Sequence, residues 1–344
     1  MSFTRLDPTD FVISSDSVVA PAWSNNITNL TAFFTANPAT TGSYYIDIYD
    51  GNTSSPSASV QFSVAYGHYA GSGSAPLNSL IPGISPSRIT FGQYRNLIYG
   101  DAESAVNFGI GNTNSPDLVA IQVDRNKYKE SLFPGTFNLI LSSSAANISL
   151  TDNSNDVSTI TYLDGGRVFN IVSGSNGTAQ NSPLLSGASA KGYTVSGSYG
   201  LFLPDIGLIL LNPRALSLGA AAGGLNITFS ATNTVAGSGF NHNLIYTIIN
   251  SGASFKLNSQ ETISSDYIFV RVRNGDYNYT TNPSFITGST GALIYTNFIN
   301  SPQTYPTSIG LYNDNNELLA VAKMSKPLVK DFTKEALVRV KLDW

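Results

Sequence analysis

Side chains able to do chemistry are sparse here, and their spacing gives them little to work with. The two histidines, His68 and His242, sit in the Gly- and Asn-rich stretches YGHYAG and FNHNL. Neither has an acid or a second histidine at the spacing that a metal ligand or general base needs, so both read more plainly as turn or surface residues. Two acidic clusters, Thr151–Asp156 (TDNSND) and Asn313–Glu317 (NDNNE), are rich in oxygen. They lack the mid-loop glycine and the twelfth-position glutamate of a calcium loop, which favours turns. A glycosidase needs two carboxylates ~5–10 Å apart in space. With 22 acids in the chain such a pair arises easily by chance. Cysteine is absent, which removes disulfides and thiolate metal sites. GIG at 109–111 is half a dinucleotide fingerprint and carries no weight alone. No cofactor and no metal is expected.

Aromatic residues offer a different chemistry. Trp23, Tyr44, Tyr45, Tyr277 and Tyr279 are candidates for sugar-stacking platforms, although packing in a β core or at a protein interface is the favoured role. Lys323, Lys326, Lys330, Lys334, Arg339 and Lys341 outnumber Asp331, Glu335 and Asp343 near the end. That bias suits a docking face for an acidic partner, solvation of one sheet face, or lysine protection of a sheet edge. Asn-X-Ser/Thr sequons at Asn26, Asn29, Asn147, Asn176, Asn226 and Asn278 follow from composition. The opening MSFTRLDPTDFVISS lacks the basic start and apolar core of a secretory leader, so glycosylation is discounted.

Composition defines what must position these groups. Charged residues are 12% of 344, against roughly 25% in ordinary soluble domains. Asn, Ser, Thr and Gly fill the polar role, giving a neutral, hydrogen-bonding surface suited to extended structure and subunit contacts. Net charge is −4, and no basic tract suggests nucleic acid. No run of 18 apolar residues suggests a membrane span.

Alternating runs dominate the chain. VQFSVAY (60–66), LVAIQVD (118–124), TFNLILS (136–142), STITYL (158–163), RVFNIV (167–172), IGLILL (206–211), LNITFS (225–230) and LIYTII (244–249) all read as strands. Asp164-Gly165-Gly166 is a tight hairpin turn, and Asn274-Gly275 after YIFVRVR (267–273) predicts another, with both residues at positive φ. Ala292–Phe298 reads as a strand, and Ile309–Tyr312 with Leu318–Met324 as a hairpin around Asn313, Asp314, Asn315 and Asn316. In the last strand Ala336, Val338, Val340, Leu342 and Trp344 share one face, while Leu337, Arg339, Lys341 and Asp343 share the other. A short helix capped by Asn29 is expected over Leu30–Ala36, convincing long helices are missing, and Asn126–Leu132 has room for a turn or two. The fold class is therefore mainly β: antiparallel hairpins forming sandwich-like domains, with few short helices. We divide the chain into an adaptor-like segment 1–57, a central β-rich region 58–260 that could hold two subdomains, and a C-terminal antiparallel unit 261–344.

Six segments carry a family resemblance: PSRITFGQYRNLIYG (86–100), RNKYKESLFPGTFNLIL (125–141), RVFNIVSGSNG (167–177), YGLFLPDIGLILLNP (199–213), YIFVRVRNGDYNYTTNPSFI (267–286) and TYPTSIGLYNDNNELLAVAKMSKPLVK (304–330). In this order they resemble a virion structural protein of tailed phages infecting aquatic bacteria, cyanobacteria among them, over most of 60–344. The resemblance implies a non-enzymatic particle component of the baseplate or tail region, assembled in the host cytoplasm. It would contact other virion proteins and copies of itself, with no nucleic-acid partner. The alternative is a host-recognition or carbohydrate-binding fibre module that takes a host glycan. Contact residues are expected in Asn126, Lys127, Tyr128, Lys129 and Glu130, where charge and aromatics concentrate, at the Asn274-Gly275 turn, and at the hairpin tip Asn313, Asp314, Asn315 and Asn316.

Overall fold

The structure, a computed structural model, describes residues 4–36, 45–71, 85–102, 104–109, 114–180, 191–230, 241–279 and 282–344. Tyr44, part of the 67–79 and 173–183 loops, and residues 110 and 111 of the GIG motif lie outside them. Thirteen longer strands are numbered here: β1 (Phe11–Pro21), β2 (Tyr45–Tyr49), β3 (Val60–His68), β4 (Asp117–Val123), β5 (Asn138–Ser142), β6 (Asn147–Asp152), β7 (Gly166–Ser175), β8 (Gly200–Leu203), β9 (Leu208–Leu211), β10 (Asn258–Val272), β11 (Ser308–Tyr312), β12 (Leu318–Lys323) and β13 (Ala336–Asp343). Four α-helices accompany them among the described residues: α1 (Pro86–Tyr99), α2 (Pro213–Leu216), α3 (Asn241–Gly252) and α4 (Asn297–Asn300). The protein is mainly β and its sheets are antiparallel. It divides into a central unit, Ser17–Glu261, and a terminal unit made of Met1–Asp16 with Thr262–Trp344.

The central unit is built on a twelve-stranded sheet that curls as a half-barrel. From Asn29–Leu30 and Phe255–Lys256 at one edge, the order runs β5, β6, β7, β8, β9, β4, β3 and β2. Period-two alternation explains its two cores. In β4, Val119, Ile121 and Val123 face one cluster while Leu118 and Ala120 face the other. In β9, Ile209 and Leu211 oppose Leu208 and Leu210 in the same way. Both faces are covered, which is why these strands read as unbroken apolar runs. α3 contributes Ile245, Ile248 and Ile249 to one core, and α1 contributes Phe91 and Ile98 to the other. Trp23, Phe62, Phe137 and Phe255 meet near the centre of the first core, with Trp23 Nε1 donating to Phe255 O at 2.8 Å.

The terminal unit is thinner. Residues Ser265–Val272 of β10 pair with Asp343–Ala336 of β13. Among the described residues its buried large apolar side chains are Ile268, Val272 and Val340, the first and last paired directly across the ladder. In β13, Val338, Val340 and Leu342 are the more covered face and Leu337, Arg339, Lys341 and Asp343 the exposed one, as the alternation requires. β11 and β12 form a separate two-stranded sheet.

Several expected elements differ. LIYTII (244–249) lies in α3, because burial at His242, Ile245, Ile248 and Ile249 follows a helical period that the β-branched residues conceal. LNITFS (225–230) forms no strand: Leu225 is buried and Ile227 and Phe229 pack on the core, so its alternation records burial without a ladder. Leu30–Ala36 is not a helix, since Phe34 exchanges backbone hydrogen bonds with Tyr49 and Leu30 pairs with Phe255. A long helix does exist. α1 is capped by Ser85, whose Oγ accepts from Arg88 N, opens on Pro86, and ends at Gly100 with φ 66°. Residues 292–298 make no strand beyond the single bridge Ile286↔Leu293; Asn297 and Phe298 begin α4.

Candidate protein-contact surface

Several polar groups in the central unit hold the fold. His68, at the end of β3, lies opposite Asp117 of β4, and its Nδ1 accepts from Ala70 N at 2.9 Å. Burial lowers the imidazole's pKa, and the Asp117 charge partly opposes that shift. Asp117 in turn accepts from Tyr66 Oη at 3.0 Å and Ser115 Oγ at 2.7 Å. Burial first, and the Asp117 charge second, push the Tyr66 phenol well above its ordinary range. Asp117 also lines a shallow depression of about 450 Å³ with Arg214, Ser196 and Phe229. Arg214 there is tied to Asn114 O at 2.7 Å. His68 thus gains an acidic neighbour that sequence spacing hides, but among the described residues no hydroxyl nucleophile is hydrogen-bonded to it in the arrangement of a triad.

His242 is not a surface residue. It is fully buried on α3, and burial pushes its imidazole down to about 4. In the Thr151–Asp156 cluster, Asp152 is also fully buried and accepts from Gly135 N and Ser154 N at 2.9–3.0 Å. Burial raises its pKa, and those hydrogen bonds partly offset the shift. The cluster fastens turns: Asn153 Oδ1 accepts from Asn170 N, and Asp156 Oδ2 from Ala179 N. No group of three or more His, Asp or Glu side chains is placed to hold a metal among the described residues.

The expected contact residues fall in both units. In the central unit, Asp124 caps a short 3-10 turn over Arg125–Lys127 by accepting from Asn126 N. Lys127 Nζ donates to Ser24 Oγ at 2.6 Å and Ser59 Oγ at 3.0 Å. Tyr128 is buried beneath the Arg125 guanidinium, and Lys129 N donates to Ser259 Oγ. Asn126, Lys129 and Glu130 remain exposed. In the terminal unit, Asn274 and Gly275 do not make the expected two-residue hairpin. Positive φ falls on Tyr277 (55°), and the preceding strand pairs with β13 instead. Lys330, expected on a basic docking face, is buried; its Nζ reaches Asn278 Oδ1 at 2.6 Å and Asn274 O at 3.1 Å, which pins this turn from inside.

The hairpin tip forms as its residue types require. Asn313 Oδ1 accepts from Asn315 N and Glu317 N, and Asn316 takes φ 63°. Asp314, Asn315 and Asn316 are exposed. Behind the tip, Tyr312 and Leu318 lie over Gly310, where a Cβ would meet the Tyr312 ring at 2.8 Å. Tyr312, Leu318, Leu319 and Val321 are all exposed.

This exposure is general in the terminal unit. Of 29 large apolar side chains exposed among the described residues, 17 belong to it, from Phe11, Val12 and Ile13 to Phe332, Leu337 and Trp344. Every buried hydrophobic cluster among the described residues lies between Ala22 and Leu257, in the central unit. Single exposed apolar side chains are ordinary in monomeric proteins; contiguous patches of more than a few hundred Å² are the ones that mark contact surfaces. Of the candidate sugar platforms, Trp23 is buried in the core, while Tyr45, Tyr277 and Tyr279 are exposed. No helix of the described residues is long and apolar enough to cross a membrane. No family model, curated protein or solved structure matches this chain.

Proposed function

We propose that this chain is a structural subunit of a tailed-phage particle, in the baseplate or tail region, and works through protein–protein contacts. The observation that carries the reading is the concentration of exposed apolar side chains on a terminal unit without a buried cluster among its described residues. Apolar surface left open at that density asks for a permanent partner, whose interfaces typically exceed ~2,000 Å². The six segments resembling a phage virion protein supply the class of partner: other virion proteins and copies of the same chain. Chemistry is secondary in this reading, because the histidines and buried acids of the central unit serve packing and turns.

The test is particle localisation. A small tag after Trp344, viewed by electron microscopy on purified particles, is expected to decorate the tail or baseplate. Finding the chain free and self-sufficient outside any particle overturns the proposal. The second reading, a glycan-binding fibre module, draws on the exposed Tyr277, Tyr279, Tyr295 and Tyr305. Binding of host-envelope glycans that is lost on replacing these tyrosines with alanine would favour it.

A further inference from the structure

We infer that the exposed face of the β11–β12 hairpin, Tyr312, Leu318 and Val321 with Leu319 beside them, docks against a second copy of this chain. The inference rests on the contact reading above and names the partner and the element.

Three observations converge. First, β11 and β12 form a two-stranded sheet by themselves, and such a hairpin is at best marginally stable in water. Its cross-strand pairs Ile309↔Ala322 and Leu311↔Ala320 form a face that is half-buried within the chain, while Gly310, Tyr312 and Val321 on the opposite face are exposed. A hairpin of this kind persists when something packs on it.

Second, the area fits a permanent homomer. Aromatic side chains present ~150–250 Å² each, and the eight exposed ones of the terminal unit are on average a little over half open. They alone leave on the order of 900 Å², with nine exposed Val, Ile and Leu side chains besides, against the ~1,000 Å² or more per partner that obligate homodimers bury. A unit that needs this cover must find it as the protein folds, and its own copies are the partner always present at matching concentration.

Third, the charge balance suits self-contact. The terminal unit carries nine basic and ten acidic side chains. Two such units do not repel, whereas docking to a strongly charged partner would favour one dominant sign. Along the hairpin the signs separate, with Asp314 and Glu317 at the tip and Lys323 and Lys326 at the base. Copies laid antiparallel would therefore bring opposite charges together.

The experiment uses the full chain. Native mass measurement of the purified protein at micromolar concentration is expected to give a multiple of 36.5 kDa. Val321→Asp and Leu318→Asp are expected to return the monomer mass, while Ile89→Asp on the exposed side of α1 leaves the oligomer unchanged. A wild-type monomer overturns the inference, and so does an oligomer indifferent to Val321→Asp. Where the Asp variants fail to fold, a photoreactive benzoylphenylalanine decides. Placed at Tyr312 it is expected to capture a second chain, and at the exposed Tyr162 of the central unit to capture none. Absence of a doubled-mass product from position 312 overturns the inference. A monomer still found in particles removes the self-contact and leaves the assembly reading standing. An oligomer missing from particles does the reverse.

Discussion

His242 should make the central unit lose stability in mild acid. The side chain is fully buried, and burial lowers its pKa from 6.5 to about 4. A group whose pKa is lower in the folded state binds fewer protons there, so acid favours the unfolded chain. The loss begins as pH falls through 6.5 and is complete below about 4. At about 1.4 kcal/mol per pKa unit the full effect is roughly 3 kcal/mol, of which about 2 kcal/mol is lost between pH 7.5 and 5. Asp152 acts in the opposite direction. Its raised pKa means the folded state holds its proton to higher pH, so it gains stability as pH falls. His68 acts with His242, more weakly because it is only half-buried. Comparison with His242→Leu, which keeps both of those groups and a similar volume, isolates His242. The assay is urea unfolding followed by tryptophan emission. Trp23 is buried in the same cluster as Ile245 and Ile248, while Trp344 is 74% exposed and reports little burial change. Wild type should lose about 2 kcal/mol more than His242→Leu between pH 7.5 and 5. Parallel pH curves for the two proteins would refute the assignment.

Two further substitutions test the packing of the central unit. Trp23→Ala removes the ring lodged between Phe62 and Phe255 and its hydrogen bond to Phe255 O, and should cost about 3–5 kcal/mol in urea melts followed by circular dichroism. Gly207→Ala places a Cβ within 2.7 Å of the Tyr128 ring at φ 66°. It should cost at least the ~1–2 kcal/mol of left-handed strain, and a variant as stable as wild type in thermal melts would contradict the close approach of Gly207 to Tyr128.

Legibility in the sequence follows burial. LVAIQVD and IGLILL are readable because each becomes a strand covered on both faces, and the loop Asp164-Gly165 is readable because its turn chemistry is local. α1 is hidden because Arg95 is buried while Ile89 and Leu97 are exposed, which blurs the amphipathic stripe, although Ser85-Pro86 and Gly100 mark both ends. α3 imitates a strand because β-branched residues fill its buried stripe. The hairpin tip at Asn313 is legible, while the burial of Lys330 and Lys127's ties to Ser24 and Ser59 are not. Both depend on chain segments more than 50 residues away.

An apolar run reports that strand faces are apolar; it does not report what covers them. In β4 and β9 the cover comes from α1, α3 and neighbouring strands, all supplied by the same chain. In β12 the run Leu318 to Ala322 is as apolar as either, yet Leu318, Leu319 and Val321 stand open. The difference cannot come from the strand, whose pattern is the same, so it must come from the surroundings. In water such a strand carries a cost that grows with its open area, and a low-charge surface adds little to keep copies apart. The simplest way for one sequence to hold both kinds of strand is for the missing layer of the second kind to be supplied between molecules.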